Sequence, residues 1–247
     1  KKPVRLFSIQ LGYESQQLAK QFRISRQGRR FYLSGSYKDG TDSPTNEELL
    51  KGFVQQGFSD EELLSQITGI DRGVKLPIAT SDGLRKAYSP EKAEKLKRLA
   101  RKKAHYQRIL AAKKRRNGNK NVRRIESNEQ KKLADKIANF DAKTARIRHD
   151  FLHQISKEVV LAAKPIIALE ALTIKNMTKR AKPKRGKHGR GYTRNNANAK
   201  SGLNRALLNV ALGKLGDFIT YKANDYGKAV VEVNPAGTSQ TCHVCGE

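Results

Sequence analysis

The chain has 247 residues, enough for one large domain or two modest ones with a real core. Its 51 Lys+Arg against 23 Asp+Glu give a net charge of +28, a field that favours polyanions, either nucleic acid or an anionic membrane. No apolar run approaches the roughly 18 residues of a spanning helix and no secretory leader is visible, which leaves nucleic acid as the better partner.

With Lys1 as the first residue and Met177 as the only methionine, the chain is expected to be a segment of a longer protein, open at both ends. In chain order, residues 22–37 alternate and are rich in β-formers around Gln27-Gly28, which predicts a hairpin. Residues 43–66 predict a short helical pair, with Ser59 and Glu62 as a capping box. Residues 67–83 predict a strand, a turn at Gly73, a second strand and a turn at Asp82-Gly83. Residues 89–163 are helical with a break at 117–121, and Ile137, Phe140, Thr144, Ile147, Phe151, Ile155 and Val159 share one face of the second helix. Pro165 ends that helix, and the apolar run 166–169 has the composition of a strand buried on both faces. Residues 178–200 are basic and aperiodic, a mobile loop. One helix follows, with Leu203, Leu207, Leu208, Ala211, Leu215, Phe218 and Ile219 on its apolar side, and then a last strand at 229–235. No internal repeat is present. The succession predicts an α/β domain with a mixed sheet.

Two acids stand where core packing would not place them: Asp71 follows Ile70 in GIDRG, and Glu170 ends the run IIALE. Charged side chains are rarely buried unless paired or bound to metal. If the two strands are neighbours, both carboxylates emerge at the same part of the sheet, where oxygen ligands favour Mg²⁺ or Mn²⁺. Two such ions about 3.5–4 Å apart would stabilise the attacking and leaving oxygens of a phosphodiester displacement. An ion pair with one of the many lysines is the competing reading of the same acids. Cys242 and Cys245, in TCHVCGE, have the spacing of half a zinc knuckle, and the Gly after the second cysteine separates them from a helix-opening redox pair. They are the only two cysteines, and without a disulfide framework they suit a reducing compartment.

The ordered segments GIDRGVKLPIATSDG, IALEALTIKNM, KSGLNRALLNVALGKLGDFITYKANDYG and TSQTCHVCG resemble the TnpB family of transposon-associated, RNA-guided DNA endonucleases, which are related to the type V CRISPR effectors. The resemblance runs from about Ile67 to the end of the chain. It implies an RNase H-like (RuvC) nuclease domain at 67–237 carrying the first two catalytic segments. The start of a zinc-binding insertion follows at 238–247, a helical linker precedes at 43–66, and the end of a β-barrel (wedge) domain lies at 1–42. Asp71 matches the family's first catalytic aspartate and Glu170 its catalytic glutamate. Asp71 would bridge both metal ions, and Glu170 would hold the one nearer the attacking water. The third family carboxylate lies beyond the zinc segment; Asp217 and Asp225, on or just past the late helix, do not take its place. The resemblance also implies Zn²⁺ on Cys242 and Cys245, a guide RNA of transposon-end or CRISPR type, a double-stranded DNA target, one protein monomer per guide, and a cytoplasmic, nucleoid-associated location.

Residues 91–132 carry seventeen Lys/Arg against four acids, and residues 171–216 carry twelve with none. Such runs are usually solvated helix faces, but two of them flanking a carboxylate pair suit a nuclease that must hold a polyanion near its own acids. Lys179, Arg180, Lys182, Lys184, Arg185, Lys187, Arg190 and Arg205 are the expected phosphate contacts, with Tyr192 as a stacking residue. HDFLH, residues 149–153, has the histidine spacing of a zinc-protease helix, but Asp150 replaces the central glutamate and the chain is too basic for that class. The readings that remain are an RNA-guided, metal-dependent DNA endonuclease, a catalytically silent RNA-guided DNA-binding protein, and a structural RNA-binding protein with incidental acids.

Overall fold

The computed structural model describes residues 22–28, 30–35, 43–116, 126–186 and 191–235. The predicted hairpin forms as β1 (Phe22–Gln27) and β2 (Arg30–Gly35), antiparallel with Gln27 opposite Arg30. Gly28 at the turn takes φ +63°, a conformation that favours a residue without Cβ. The helical pair forms as α1 (Asn46–Gln55) and α2 (Asp60–Ser65). Each opens on a capping box, Thr45 with Glu48 and Ser59 with Glu62, so two orphan N–H groups per helix are satisfied locally.

A five-stranded mixed sheet comprises β3 (Ile67–Asp71), β4 (Ile78–Thr80), β5 (Arg85–Lys86), β6 (Ile166–Glu170) and β9 (Ala229–Val233), in the order β5-β4-β3-β6-β9. The β3–β4 and β4–β5 pairs are antiparallel, whereas β3–β6 and β6–β9 are parallel. Parallel neighbours need long crossovers. The first is the antiparallel pair α3 (Pro90–Arg116) and α4 (Asn128–Ala162). The second holds α5 (Ile174–Met177), the short strands β7 (Lys184–Arg185) and β8 (Tyr192–Thr193), α6 (Ala197–Val210) and α7 (Leu212–Asp225).

One sheet face makes the core. Ile70, Ile167, Leu169 and Val230 meet Leu152, Ile155 and Val159 of α4 and Leu215, Ile219 and Ala223 of α7. Burying each such Leu or Ile side chain contributes about 1.5–3 kcal/mol. The opposite face is open: Gly69, Ala168 and Glu170 are half-buried and Asp71 is exposed. The β6 run is therefore buried on both faces at its start, where Ile166 and Ile167 are each buried, and on the core face alone at its end, where Ala168 and Glu170 are half-buried. Thr68, in the core-facing layer, accepts from the Lys164 N–H at 2.9 Å and donates to Asp82 at 2.6 Å, which locks β3, the β4–β5 turn and the entry to β6 together.

Along α4, the predicted face is fully buried only at Phe151, Ile155 and Val159. Ile137, Phe140, Thr144 and Ile147 are half-covered, in the half of α4 that runs beside α3. No described side chain of α3 is fully buried. The pair is joined by Tyr106 stacked on Phe140 at 5.6 Å and by exposed ion pairs such as Lys103–Asp141 at 2.5 Å, each worth at most about 1 kcal/mol. At the end of α4, the Lys228 ammonium donates to the carbonyls of Val160, Leu161 and Ala163, a cation placed at the negative end of the helix.

Two expectations fail in the second crossover. The described part of the segment expected to be a mobile loop, 178–186 and 191–200, contains the β7–β8 pair and is strapped to its surroundings. Asn195 donates to the Lys182 carbonyl, Lys200 to that of Met177, and Asn204 to those of Thr178 and Lys179. The single late helix is two helices, broken at Ala211, which takes the left-handed conformation (φ 56°, ψ 47°). The break turns the apolar faces apart. Leu207 and Val210, with Leu212 at the start of α7, pack with Leu172, Ile174 and Met177, while Leu215, Ile219 and Ala223 of α7 enter the main core. Leu203 and Leu208 are consequently exposed.

Beside β9, at the sheet edge, the Asn46 side chain donates to the Val230 carbonyl at 2.8 Å and accepts from the Val230 N–H at 2.6 Å.

Candidate active site

The parallel β3–β6 register pairs Ile70 with Leu169, so Asp71 and Glu170, the next residues, stand at the same height on adjacent strands. Successive side chains alternate faces. With Ile70 and Leu169 in the core, both acids project from the opposite face, where they line one cleft of about 400 Å³ with Ala79, Ser81, Ala168 and Val233. The sheet thus brings together the two residues singled out from sequence.

Arg72, which the sequence did not flag, lies beneath them. Its side chain is 9% exposed. The guanidinium donates to the main-chain carbonyl of Glu170 and, at 3.3 Å, to that of Leu212 at the start of α7. Burial lowers its pKa, and the opposing pull comes from Glu170 first, then Glu232, Asp217 and Asp71. A buried cation is retained when acids surround it and its N–H groups find acceptors; here Nη1 and Nη2 do, while the buried Nε has no hydrogen-bond partner among the described residues. Here it also ties the end of β6 to α7. The signal for it was present in GIDRG: a long cation directly after a strand-end acid must take the core side of the sheet.

Two hard oxygen donors side by side suit Mg²⁺ or Mn²⁺ better than a soft metal, and they are two of about six donors such an ion takes. Among the described residues, no cluster of three or more His, Cys, Asp and Glu is placed to hold a metal. Asp217 is exposed on α7, and Asp225 accepts from the Ser43 hydroxyl at 2.8 Å. Neither joins the pair.

The expected phosphate contacts divide. Lys179, Arg180, Lys182, Lys184 and Arg185 are all exposed along the strapped β7–β8 segment, with Tyr192 opposite Arg185 and 74% exposed. Arg205 is exposed on α6. Lys187 and Arg190, like Cys242 and Cys245, lie outside the described residues. The histidines of HDFLH sit together, ring centroids 4.4 Å apart, with Phe218 4.2 Å from His153. Partial burial, then His149 and Lys222, hold His153 below the ordinary histidine pKa. No helix among the described residues is long and apolar enough to cross a membrane.

Fold and site together define an α/β domain of a strongly basic protein, with paired acids at the ends of adjacent parallel strands. A family model described as "Cas12f1-like, TNB domain" matches residues 213–247. The Escherichia coli (strain K12) protein named "Putative RNA-guided DNA endonuclease InsQ" is 31% identical over 183 residues, 74% of this chain and 40% of InsQ. Two cryo-EM structures align over 74% of the chain. They are a Cas12f1–sgRNA–target DNA complex (39% of that chain, TM-score 0.42, 21% identity) and a CRISPR–Cas12f ternary complex (31%, 0.43, 22%). The chain belongs to the TnpB-like family. It spans well under half the length of the relatives it matches.

Proposed function

We propose that residues 67–237 form the first part of an RNase H-like (RuvC) nuclease domain in a DNA endonuclease directed by a guide RNA. The observation that carries this reading is the pair Asp71 and Glu170, level on adjacent parallel strands and opening on one cleft. The β5-β4-β3-β6-β9 order supports it, with the first strand of the domain at the centre of the sheet. The similarity to InsQ supports guidance by RNA.

In this reading Asp71 and Glu170 hold the catalytic Mg²⁺ or Mn²⁺. Bound there, the metal supplies charge stabilisation to the attacking and leaving oxygens of the phosphodiester. Glu170, half-buried at a strand end whose carbonyl accepts from Arg72, would hold the ion nearer the attacking water. Asp71, exposed at the cleft mouth, faces the phosphate. The exposed cations Lys179, Arg180, Lys182, Lys184, Arg185 and Arg205, with Lys187 and Arg190, contact backbone phosphates of guide or target. Residues 1–42 belong to the wedge domain and 43–66 to a helical linker. Cys242 and Cys245 supply two thiolates of a structural zinc site at 238–247.

The test uses the full-length protein with its guide RNA. Cleavage of target DNA should require Mg²⁺ or Mn²⁺, and Asp71→Ala or Glu170→Ala should reduce it by several orders of magnitude while DNA binding persists. Cutting in chelator, or by Asp71→Ala, overturns the reading. A parent protein that binds but never cuts is the silent binder.

A further inference from the structure

The two acids of the cleft stand just beyond the strand pairing that aligns them. Pairing of β3 with β6 ends at Ile70 and Leu169, one residue short of Asp71 and Glu170. Asp71 is still held by β4, where it pairs with Ala79. Glu170 is held from the far side by β9, where it pairs with Val233, and the next N–H, of Ala171, donates to the Val233 carbonyl at 2.9 Å. From the β3 side, a side chain reaches the Glu170 main chain: Nη2 of Arg72 donates to its carbonyl.

Arg72 is built to act as that link. The Gly73 N–H donates to the Leu76 carbonyl at 3.1 Å, a turn that leads the chain back to β4 and fixes the backbone next to Arg72. Nη1 of Arg72 donates to the Leu212 carbonyl at 3.3 Å, and Leu212, Leu215 and Gly216 are all buried at the start of α7. One planar guanidinium thus spans a strand end and a helix start, a geometry that suits its rigid fork of donors. Stability alone does not account for the residue. A buried cation seldom improves on an apolar side chain of like volume, and this one leaves Nε buried without a hydrogen-bond partner among the described residues.

Charge and brace act in opposite directions at this point. A cation close behind two carboxylates weakens their hold on a divalent metal ion. A brace on the main chain of one of them strengthens that hold, because the groups that orient a metal's ligands help to set its affinity.

We propose that Arg72 is a positioning residue. It ties the end of β6 to the start of α7 so that the Glu170 carboxylate stays level with Asp71, and for metal binding the brace outweighs the charge. The proposal rests on the reading of Asp71 and Glu170 as the pair that holds Mg²⁺ or Mn²⁺.

The test takes the full-length protein with its guide RNA and follows bound Mn²⁺ by its EPR signal. The share that belongs to the site is the part that Asp71→Ala removes. With Arg72→Gln, half-saturation of that share should move to about tenfold higher Mn²⁺. Single-turnover cleavage at saturating target should slow about tenfold, with target binding unchanged. Arg72→Lys keeps the charge but at most one of the two contacts, so it should shift the curve in the same direction. Lys222→Gln is the control. Lys222 is as buried as Arg72 and also ties α7 down, but it grips the His153 carbonyl and the Ser156 hydroxyl of α4, not the strand that carries Glu170. This variant should lower the urea midpoint without moving the Mn²⁺ curve. Tighter Mn²⁺ in Arg72→Gln would show that only charge matters, and an unchanged curve would show that Arg72 serves only the fold; either overturns the proposal. If Arg72→Gln fails to fold, Gly216→Ala, whose Cβ would press on Nη1, is read in its place with the same expected shift and the same refutations. If Asp71→Ala removes no Mn²⁺ at all, the metal reading of the acid pair falls and this proposal with it, a result distinct from the failure of Arg72 alone.

Discussion

Arg72 and Gly216 share one space. A Cβ built on Gly216 would collide with Nη1 of Arg72, so the guanidinium reaches the carbonyls of Glu170 and Leu212 only because α7 has no side chain at that point. Gly216→Ala should therefore cost about 1–3 kcal/mol by overpacking, read in urea or thermal unfolding. Arg72→Gln in the same background shortens the intruding side chain. The double variant should lose less than the sum of the two singles. Strict additivity would show that the two residues do not compete for the space.

Ala211 is a non-glycine residue in the left-handed region, which costs roughly 1 kcal/mol for a side chain that bears Cβ. Ala211→Gly should stabilise the chain by about that amount, because the backbone there is set by two helices packing in different directions. A loss of stability would mean that the Ala211 methyl, which packs against the main core, outweighs the relief.

The caps of α1 and α2 predict a response to acid. The Thr45 N–H donates to Glu48 at 2.8 Å and the Ser59 N–H to Glu62 at 2.9 Å, and these bonds are the leading cause that lowers both carboxyl pKa values from the ordinary 4.5. As pH falls, the unfolded chain takes up the proton first. The stability these caps contribute is thus present above 4.5 and lost as pH falls through the depressed folded values. Amide exchange in α1 and α2 should accelerate across that window beyond the intrinsic pH effect. Glu48→Gln with Glu62→Gln, which keep an acceptor but do not titrate, should abolish the transition. Persistence of the transition in the double variant would assign it elsewhere.

The paired acids were legible because a charge that ends an apolar strand is conspicuous, and the hairpin because Gln27-Gly28 interrupts a clear alternation. The break at Ala211 was not, since alanine is the best helix former and only the divergent packing of α6 and α7 imposes the turn. The β7–β8 pair was hidden for a similar reason. Its residues have no apolar alternation, and what orders them is a set of side-chain amides from Asn195 and Asn204 on distant carbonyls. Arg146 and Arg148, two apart, fall off any single helical stripe. Arg146 is held by the Tyr32 hydroxyl and Arg148 by the Asn209 side-chain oxygen, each from another element of the fold.

The outer side of β9 is where a twisted sheet would ordinarily accept another strand. One amide of α1 occupies that position: Asn46 engages both polar groups of Val230 just as a neighbouring backbone would. The opposite margin, β5, is two residues long and offers almost nothing to pair with. Lateral growth of the sheet is therefore stoppered at one end and starved at the other. Two copies of this sheet are thereby kept from joining edge to edge.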